Sequence, residues 1–247
     1  MKKIVVIFGG PVNLFENRLK FFKYFEKKFK VRVNRASELK FKAKIGGAEI
    51  DFLFAYCPQR DKAYLDSKKY IEKNYKEKVP LPAEELCKKI KKADVVLFFG
   101  TCGSFKGKKK QIYIPNKFRK INYSGDIILL KEFKKNPSKE VELNNVLKRK
   151  GQKATAITSN LTLMPVCVEN KKEKTVEKFG KKLSNYGDII DKESYQIVKN
   201  LKNRFRVGVG LVCSDVILKR QFLKPKHNFG FRDKFNKFTA KAIERFL

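Results

Sequence analysis

The segment VGVGLVCSDVI, residues 207–217, ends an apolar run with a serine and an aspartate and no turn residue. A carboxylate at the end of a buried strand is costly unless it is solvated or paired. Partial burial of Asp215 would favour its protonated form and suit it to general acid catalysis. Capping of a following helix by Ser214 or Asp215 explains the pair equally well. The residues alone leave both interpretations open.

Three other polar stretches also follow apolar runs: GTCGS at 100–104, SNLTLM at 159–164 and DKES at 191–194. The backbone N–H groups of GTCGS could hold an anion, although an ordinary tight turn is the simpler interpretation, since the spacing of a phosphate-binding loop is absent. In DKES, Asp191 and Glu193 stand at a predicted helix start. They would either cap that helix or accept hydrogen bonds from two adjacent hydroxyls, as in a ribose diol.

These stretches must be positioned by an alternation of short β-rich runs and longer charged helical patterns. The predicted strands are 4–8, 50–56, 94–99, 112–114, 126–130, 155–158 and 207–213. The predicted helices are 14–29, 82–92, 171–184, 191–202 and 231–246. The alternation predicts a single α/β domain, 1–247, whose mixed, mostly parallel central sheet is flanked by helices. Ligands of such sheets bind beyond the carboxyl ends of the strands, which is where the polar stretches lie.

The charge of the chain is extreme, at +34, with 59 Lys and Arg residues against 25 acids. The lysines are scattered along the whole chain between apolar residues, with no basic tail, and arginine is scarce. A nucleic-acid partner is therefore not expected, because clustered basic residues and arginine are typical of such proteins. A small anionic substrate is compatible with the charge.

Metal and disulfide chemistry are not expected. No pair of the five cysteines (Cys57, Cys87, Cys102, Cys167 and Cys213) has the CxxC spacing, and His227 is the only histidine. Reduced thiols of this kind suit the cytoplasm. The start, MKKIVVIFGGPVN, predicts a first strand and not a signal peptide, and no run approaches the ~20 apolar residues of a membrane helix.

Taken in order, the first-strand Gly loop, DVVLFFGTCGS, IYIP, ITSNLTLM, DIIDKES and VGVGLVCSDV resemble the nucleoside phosphorylase superfamily. That superfamily includes purine nucleoside and uridine phosphorylases and the methylthioadenosine/S-adenosylhomocysteine nucleosidases. The resemblance covers most of the chain and is strongest from about Leu81 to Leu247. It implies cleavage of the N-glycosidic bond of a purine nucleoside or an adenosine thioether. It also implies a homo-oligomer and no metal or organic cofactor, with phosphate as a possible co-substrate.

The resemblance assigns a role to each stretch. Asp215 matches the acid that helps the base to leave, and Glu193 matches the residue that binds the ribose 2′ and 3′ hydroxyls. Lys192 stands where the family has a methionine that supports the ribose. The other implied site residues are Gly10, Thr101 and Gly103 near the acceptor, and Leu163, Met164 and Ser214 near the base. An acid at the base and a clamped diol suit a transition state of oxocarbenium character.

The acceptor half of the implied site departs from the family. Phe98 and Phe99 stand before the glycine turn where phosphorylases carry an arginine, and the first-strand loop lacks the nucleosidases' water-activating glutamate. Cys57-Pro58-Gln59 replaces a second glycine loop. Arg60 or a lysine of 106–110 could substitute for the missing arginine. The lysine-rich surface and GTCGS favour phosphate as acceptor, whereas the missing arginines favour water.

Two other functions stay open on the sequence. A degenerate family member could bind a nucleoside or nucleotide without turnover, which the missing acceptor residues suggest and the retained Asp215 opposes. Nucleic-acid binding by the basic surface is the weaker alternative, and it would show a steep dependence on salt.

Overall fold

A computed structural model describes residues 1–9, 15–57, 60, 62–76, 78–121, 140–148, 154–159, 177, 180–219 and 229–247. The strands in this part of the chain are β1 (Lys2–Phe8), β2 (Asn34–Ser37), β3 (Lys40–Ile45), β4 (Ala48–Phe54), β5 (Val95–Ser104), β6 (Ile112–Tyr113), β7 (Lys117–Ile121), β8 (Glu140–Glu142), β9 (Thr155–Ser159), β10 (Ile189–Asp191) and β11 (Arg206–Val216). The helices are α1 (Phe15–Phe29), α2 (Lys62–Tyr75), α3 (Ala83–Lys89), α4 (Ser194–Leu201) and α5 (Phe229–Glu244). Residues 180–183 are also helical, and a 3-10 turn spans Ile217–Lys219.

One mixed sheet contains these strands, in the order β2-β3-β4-β1-β5-β10-β9-β7-β8, with β11 paired to β5 and β6. Its longest pairings, β11 with β5 and β1 with β4, are parallel. The antiparallel pairings lie at the periphery, apart from a short contact between β10 and β5. The predicted mixed, mostly parallel α/β fold is therefore confirmed.

Helices cover both faces of the sheet, and successive residues of β1 supply the two cores. Ile4, Val6 and Phe8 belong to the core beneath α1 and α5, whereas Val5 and Ile7 belong to the core beneath α3 and α4. This alternation follows from the two-residue period of a strand. Strands buried on both faces are the reason why the sequence shows continuous apolar runs.

Several sequence predictions need correction. GTCGS is not a turn, because β5 continues through it to Ser104. The sequence interpretation also missed the β3–β4 hairpin, whose turn uses Gly46 and Gly47 at φ +53° and +82°, and it missed α2. The predicted strand at 126–130 and most of the predicted helix at 171–184 lie outside the described residues.

Candidate active site

The candidate site lies where β5 changes its neighbour. Val95–Phe99 pair with β1, and Gly103 and Ser104 pair with β10. Since β11 pairs along the other side of β5 to its end, β10 and β1 share one side. Within the described ranges, residues 100–102 thus have no strand partner on that side. The gap opens at the carboxyl end of β1, where an α/β sheet binds its ligands.

On the β11 side of this gap, a β-bulge presents Asp215. Cys213 pairs with Cys102 and Asp215 pairs with Gly103, which leaves Ser214 as the extra residue. Bulges redirect side chains and are common beside active sites. The buried Ser214 hydroxyl lies 2.5 Å from Asp215 Oδ2 and 3.2 Å from the carbonyl oxygen of Cys102. Ser214 therefore holds the half-buried Asp215 carboxylate in place.

On the β10 side, the two acids of DKES have separate tasks. Asp191 Oδ2 accepts hydrogen bonds from the backbone N–H groups of Glu193 (3.1 Å) and Ser194 (2.7 Å). Asp191 Oδ1 accepts a further bond of 2.6 Å from the Ser194 hydroxyl. These bonds satisfy donors at the start of α4, so Asp191 is the capping residue. Glu193 is left for another role.

The Glu193 carboxylate stands over the end of β1. Its side chain is buried, and a Cβ built on Gly9 would lie 3.2 Å from Glu193 Oε2. Burial and, secondly, the Asp191 charge raise the pKa of Glu193 to about 8, against the lowering effects of the Lys192 charge and the backbone N–H of Cys57. A neutral carboxyl group at this position can both donate and accept a hydrogen bond, as a diol requires.

Two neighbours of Glu193 come from positions that depart from the family pattern. The half-buried Lys192 contributes a positive charge that lowers the pKa of Glu193. The backbone N–H of Cys57 lowers the same pKa, and Cys57 is held at φ +60°, a conformation that usually selects glycine.

The remaining sequence-predicted residues are only partly placed. Thr101 is half-buried and lies in the segment of β5 that faces the gap. Gly103 lies between β10 and β11, where an added Cβ would come within 3.0 Å of Ile217 Cδ1 and 3.2 Å of Ile190 Cγ2. Close packing is thus a sufficient reason for glycine to be favoured there. The other predicted residues, Gly10, Leu163 and Met164, lie outside the described residues.

Arg60 and the lysines of 106–110 were the two candidates to replace the arginine that binds phosphate in the phosphorylases, and Arg60 is engaged elsewhere. The Arg60 guanidinium makes two hydrogen bonds of 2.8 Å to the Glu85 carboxylate on α3. The lysine-rich loop 106–110 lies next to β11 instead, since Lys110 N–H donates to the Cys213 carbonyl at 2.8 Å. The charge of Lys109 also lowers the pKa of Cys213. Positive charge from this loop therefore lies on the Asp215 side of the site.

Cysteine nucleophiles and metal ligands find little support among the described residues. Burial raises the pKa of Cys87 and of Cys213 to about 12, and it raises that of Cys102 well above 9.0. Thiols of this kind are poor nucleophiles. Within the described part of the chain, no group of three or more His, Cys, Asp or Glu side chains could hold a metal ion.

Comparison with known proteins identifies the fold. No protein-family profile and no curated sequence matches the chain. Among solved structures, the 5′-methylthioadenosine/S-adenosyl homocysteine nucleosidase (MTAN) of Chlamydia trachomatis is 13% identical with a TM-score of 0.57, over 100% of this chain and 97% of that one. The chain has the nucleosidase fold. The resemblance to the nucleoside phosphorylase superfamily is thus confirmed at the level of the fold.

Two further solved structures have a similar fold. The MTAN of Campylobacter jejuni is 14% identical with a TM-score of 0.55, over 98% of this chain and 97% of that one. A futalosine hydrolase mutant of Helicobacter pylori is 12% identical with a TM-score of 0.54, over 99% and 98%. The Chlamydia nucleosidase was also solved with MTA and with adenine bound. In the described part of this chain, no helix has the length and apolar character needed to cross a membrane.

One neighbour of the candidate site was not selected from the sequence. A Cβ built on Gly9 would lie 3.2 Å from Glu193 Oε2, whereas the residue selected from the sequence was Gly10. The signal was present, since Gly9 and Gly10 follow the first strand together, but the sequence does not indicate which glycine meets the acid.

Proposed function

We propose that the chain hydrolyses the N-glycosidic bond of a purine nucleoside or an adenosine thioether. The observation that carries the proposal is the placement of Glu193 and Asp215 on opposite sides of β5, at the segment 100–102 that lacks a strand partner on one side. Water is the acceptor in this proposal. It is supported by nucleosidases among the similar folds and by the engagement of Arg60 with Glu85.

The two carboxyl groups have complementary tasks in this reaction. Asp215, oriented by Ser214, supplies a proton or a hydrogen bond to the departing base and so limits the negative charge that develops there. Glu193 binds the 2′ and 3′ hydroxyls and fixes the sugar while positive charge builds on it. Lys192 lies beside the diol clamp. The proposal assigns Thr101, Gly103 and Gly10 to the acceptor, and Leu163 and Met164 to the base, as the resemblance implies.

The proposal includes the setting of the reaction. One domain spanning 1–247 acts in the cytoplasm on a small nucleoside, without a metal or an organic cofactor. A homo-oligomer is also proposed, as the resemblance to the nucleoside phosphorylase superfamily implies. Size-exclusion chromatography with light scattering tests this, and a monomeric mass at micromolar concentration would contradict it.

The direct test is release of free base from inosine, guanosine, adenosine, methylthioadenosine and uridine, with and without phosphate. We expect release from purine nucleosides in both buffers. Asp215→Asn keeps the shape of the side chain but cannot transfer a proton, so turnover should fall roughly 10²- to 10⁴-fold. Asp66→Asn, on the exposed face of α2, is the matched control and should keep the wild-type rate.

The outcomes separate the possible assignments. Release that requires phosphate would replace water with phosphate as the acceptor. An Asp215→Asn variant with the wild-type rate would contradict the assignment of the acid.

Binding without turnover is a second candidate. It is favoured by the first-strand loop, which reads Gly-Pro-Val-Asn-Leu from residue 10 to 14 and holds no carboxylate that could activate water. Calorimetric binding of adenosine or inosine with no base release in either buffer would support this function over hydrolysis.

A further inference from the structure

Cys57 has a backbone conformation that residues other than glycine rarely adopt. Its φ angle is +60°, in the left-handed region, where a Cβ atom is unfavourable. Of the other non-glycine residues in this region that the structure describes, Lys30 and Lys76 directly follow helices, which commonly end in this way, and Lys110 lies in an exposed loop. Cys57 instead follows β4, next to the candidate site. A strained conformation at such a place persists only where the surrounding structure imposes it.

Backbone hydrogen bonds impose it by fixing each residue of the segment 55–57, the exit segment of β4. The bonds are Ala55 N–H to the Phe8 carbonyl (2.8 Å), Tyr56 N–H to the Leu81 carbonyl (3.0 Å) and Ala83 N–H to the Cys57 carbonyl (3.0 Å). They tie the exit segment to the end of β1 on one side and to the start of α3 on the other. The Tyr56 ring also packs against Tyr64 of α2, with ring centres 6.1 Å apart. The conformation of Cys57 is therefore set by contacts on both sides of the exit segment.

The backbone N–H of Cys57 donates a hydrogen bond to the Glu193 carboxyl group. The order of the strands brings the two together, because Ala55 is bonded to the end of β1 and the carboxyl group lies over the next residue of that chain end, Gly9. Asp191 and Lys192 supply the charges that act on the same group. Since Glu193 is buried, water competes little for the bond, which is stronger there than it would be in solvent.

The left-handed φ angle joins these two sets of bonds. It is the torsion between the peptide that carries the Cys57 N–H and the part of the residue that carries the Cys57 carbonyl. At φ +60°, the N–H meets Glu193 while the carbonyl meets Ala83. The unfavourable backbone conformation therefore serves the contact with Glu193.

We propose that Cys57 is a positioning residue, whose backbone N–H orients the Glu193 carboxyl group toward the ribose diol. The inference rests on the proposed function and adds to it the residue that holds the diol clamp. The role belongs to the backbone of Cys57 and not to its thiol, so substitutions at this position divide according to the φ angle that they tolerate. Glycine adopts a positive φ freely, whereas the branched side chain of valine opposes it.

The first measurement is the titration midpoint of Glu193 in the full chain, by carbon NMR with labelled glutamate carboxyl groups. The signal of Glu193 is the one that Glu193→Gln removes. The wild-type midpoint should lie at about 8. Cys57→Val should raise it by about one pH unit, because the lost hydrogen bond favoured the charged form of the carboxyl group. Cys57→Gly keeps the N–H and the conformation, and should keep the wild-type midpoint.

Two further variants separate this effect from a general loss of stability. Lys30→Val is the matched control, since it places the same branched side chain at φ +53° on an exposed residue after α1, and it should leave the midpoint unchanged. Ala83→Pro removes the N–H that holds the Cys57 carbonyl. Proline suits the first position of a helix, and Pro82 already has the ψ of 146° that a following proline favours. Ala83→Pro should raise the midpoint, and it provides the test if Cys57→Val does not fold.

The second measurement is calorimetric binding of adenosine and of 2′,3′-dideoxyadenosine, which lacks the diol. We expect the wild type to bind adenosine roughly 10-fold more tightly, as the loss of hydrogen bonds to a buried group predicts. Cys57→Val should lose most of this preference, and Cys57→Gly and Lys30→Val should retain it. Equal weakening of both ligands by Cys57→Val would show a merely structural role for Cys57 and overturn the inference.

The titration gives two other results that would overturn the inference. One is an unchanged midpoint in both Cys57→Val and Ala83→Pro, and the other is an equal shift in Lys30→Val. Failure of the proposed function has a different signature. A wild-type protein with no preference for adenosine would contradict the diol clamp itself. A wild-type preference that Cys57→Val leaves intact would retain the clamp and overturn the role of Cys57.

Discussion

Glu193→Gln should remove a loss of stability that the wild-type protein suffers as the pH rises. In the folded chain the pKa of Glu193 is raised from 4.5 to about 8, mainly by burial and secondly by Asp191. Below pH 4.5 the carboxyl group is protonated in both the folded and the unfolded states. Between 4.5 and about 8 the unfolded state releases its proton and the folded state keeps it, so the free energy of unfolding falls with pH. Above about 8 the loss is complete.

The magnitude follows from the width of that window. It spans about 3.5 pH units, and at about 1.4 kcal/mol per unit the loss reaches at most about 5 kcal/mol. The assay is urea unfolding of the wild type and of Glu193→Gln at several pH values from 4.5 to 9. We expect the free energies of the two proteins to diverge steadily through the window, with the wild type losing stability relative to the variant.

The matched control is Glu72→Gln on the exposed face of α2, which should follow the wild type at every pH. Parallel curves for the wild type and Glu193→Gln would refute the reasoning. They would mean that Glu193 ionises in the folded protein as easily as in the unfolded chain, and hence that it is not held neutral over the end of β1.

Other substitutions test the surroundings of Glu193. Asp191→Asn should lower the pKa of Glu193, because it removes a neighbouring negative charge. In the same urea-unfolding series, the pH range over which stability falls should then end below pH 8. An unchanged upper limit of that range would contradict this coupling. Asp191→Ala also leaves the N–H groups of Glu193 and Ser194 without their acceptor. The free energy of unfolding should therefore fall by about 1–2 kcal/mol. An unchanged urea midpoint would contradict this expectation. Gly9→Ala places a methyl group 3.0 Å from Phe98 Cζ and 3.2 Å from Glu193 Oε2. Kinetic measurements should therefore show a KM for purine nucleosides that is raised about tenfold. An unaltered KM would mean that the sugar does not bind next to Gly9.

The fold could be predicted from the sequence where strands are buried on both faces. Runs such as IVVIF at 4–8 and VGVGLVC at 207–213 became β1 and β11 because helices cover both faces of the sheet. The β3–β4 hairpin was missed although KFKAKI alternates strictly and Gly-Gly follows it. The many lysines of this strand made it look like a charged loop, whereas only its apolar positions, Phe41 and Ala43, are buried.

The site could be predicted only in part. Asp215 and Glu193 were selected because each follows an apolar strand, and the structure places them on either side of β5. Residue types alone could not distinguish Asp191 from Glu193, since both suit a helix start, and the choice of Glu193 came from the family resemblance. The bonds to Ser194 show that Asp191 is the capping acid. The tasks of Thr101 and Gly103 stay predictions.

Gly103 has a consequence for how the protein can change over evolutionary time. This residue pairs with Ile190 of β10 on one side and with Asp215 of β11 on the other, so it fixes both the strand that leads into Glu193 and the strand that carries Asp215. Two inter-strand spacings, about 10 Å, therefore separate their backbones whatever the rest of the chain contains. Exposed residues can be exchanged without altering that separation. A side chain at this one glycine would instead press on Ile190 of β10 and on Ile217 just after β11, so both arms of the site would feel the same change.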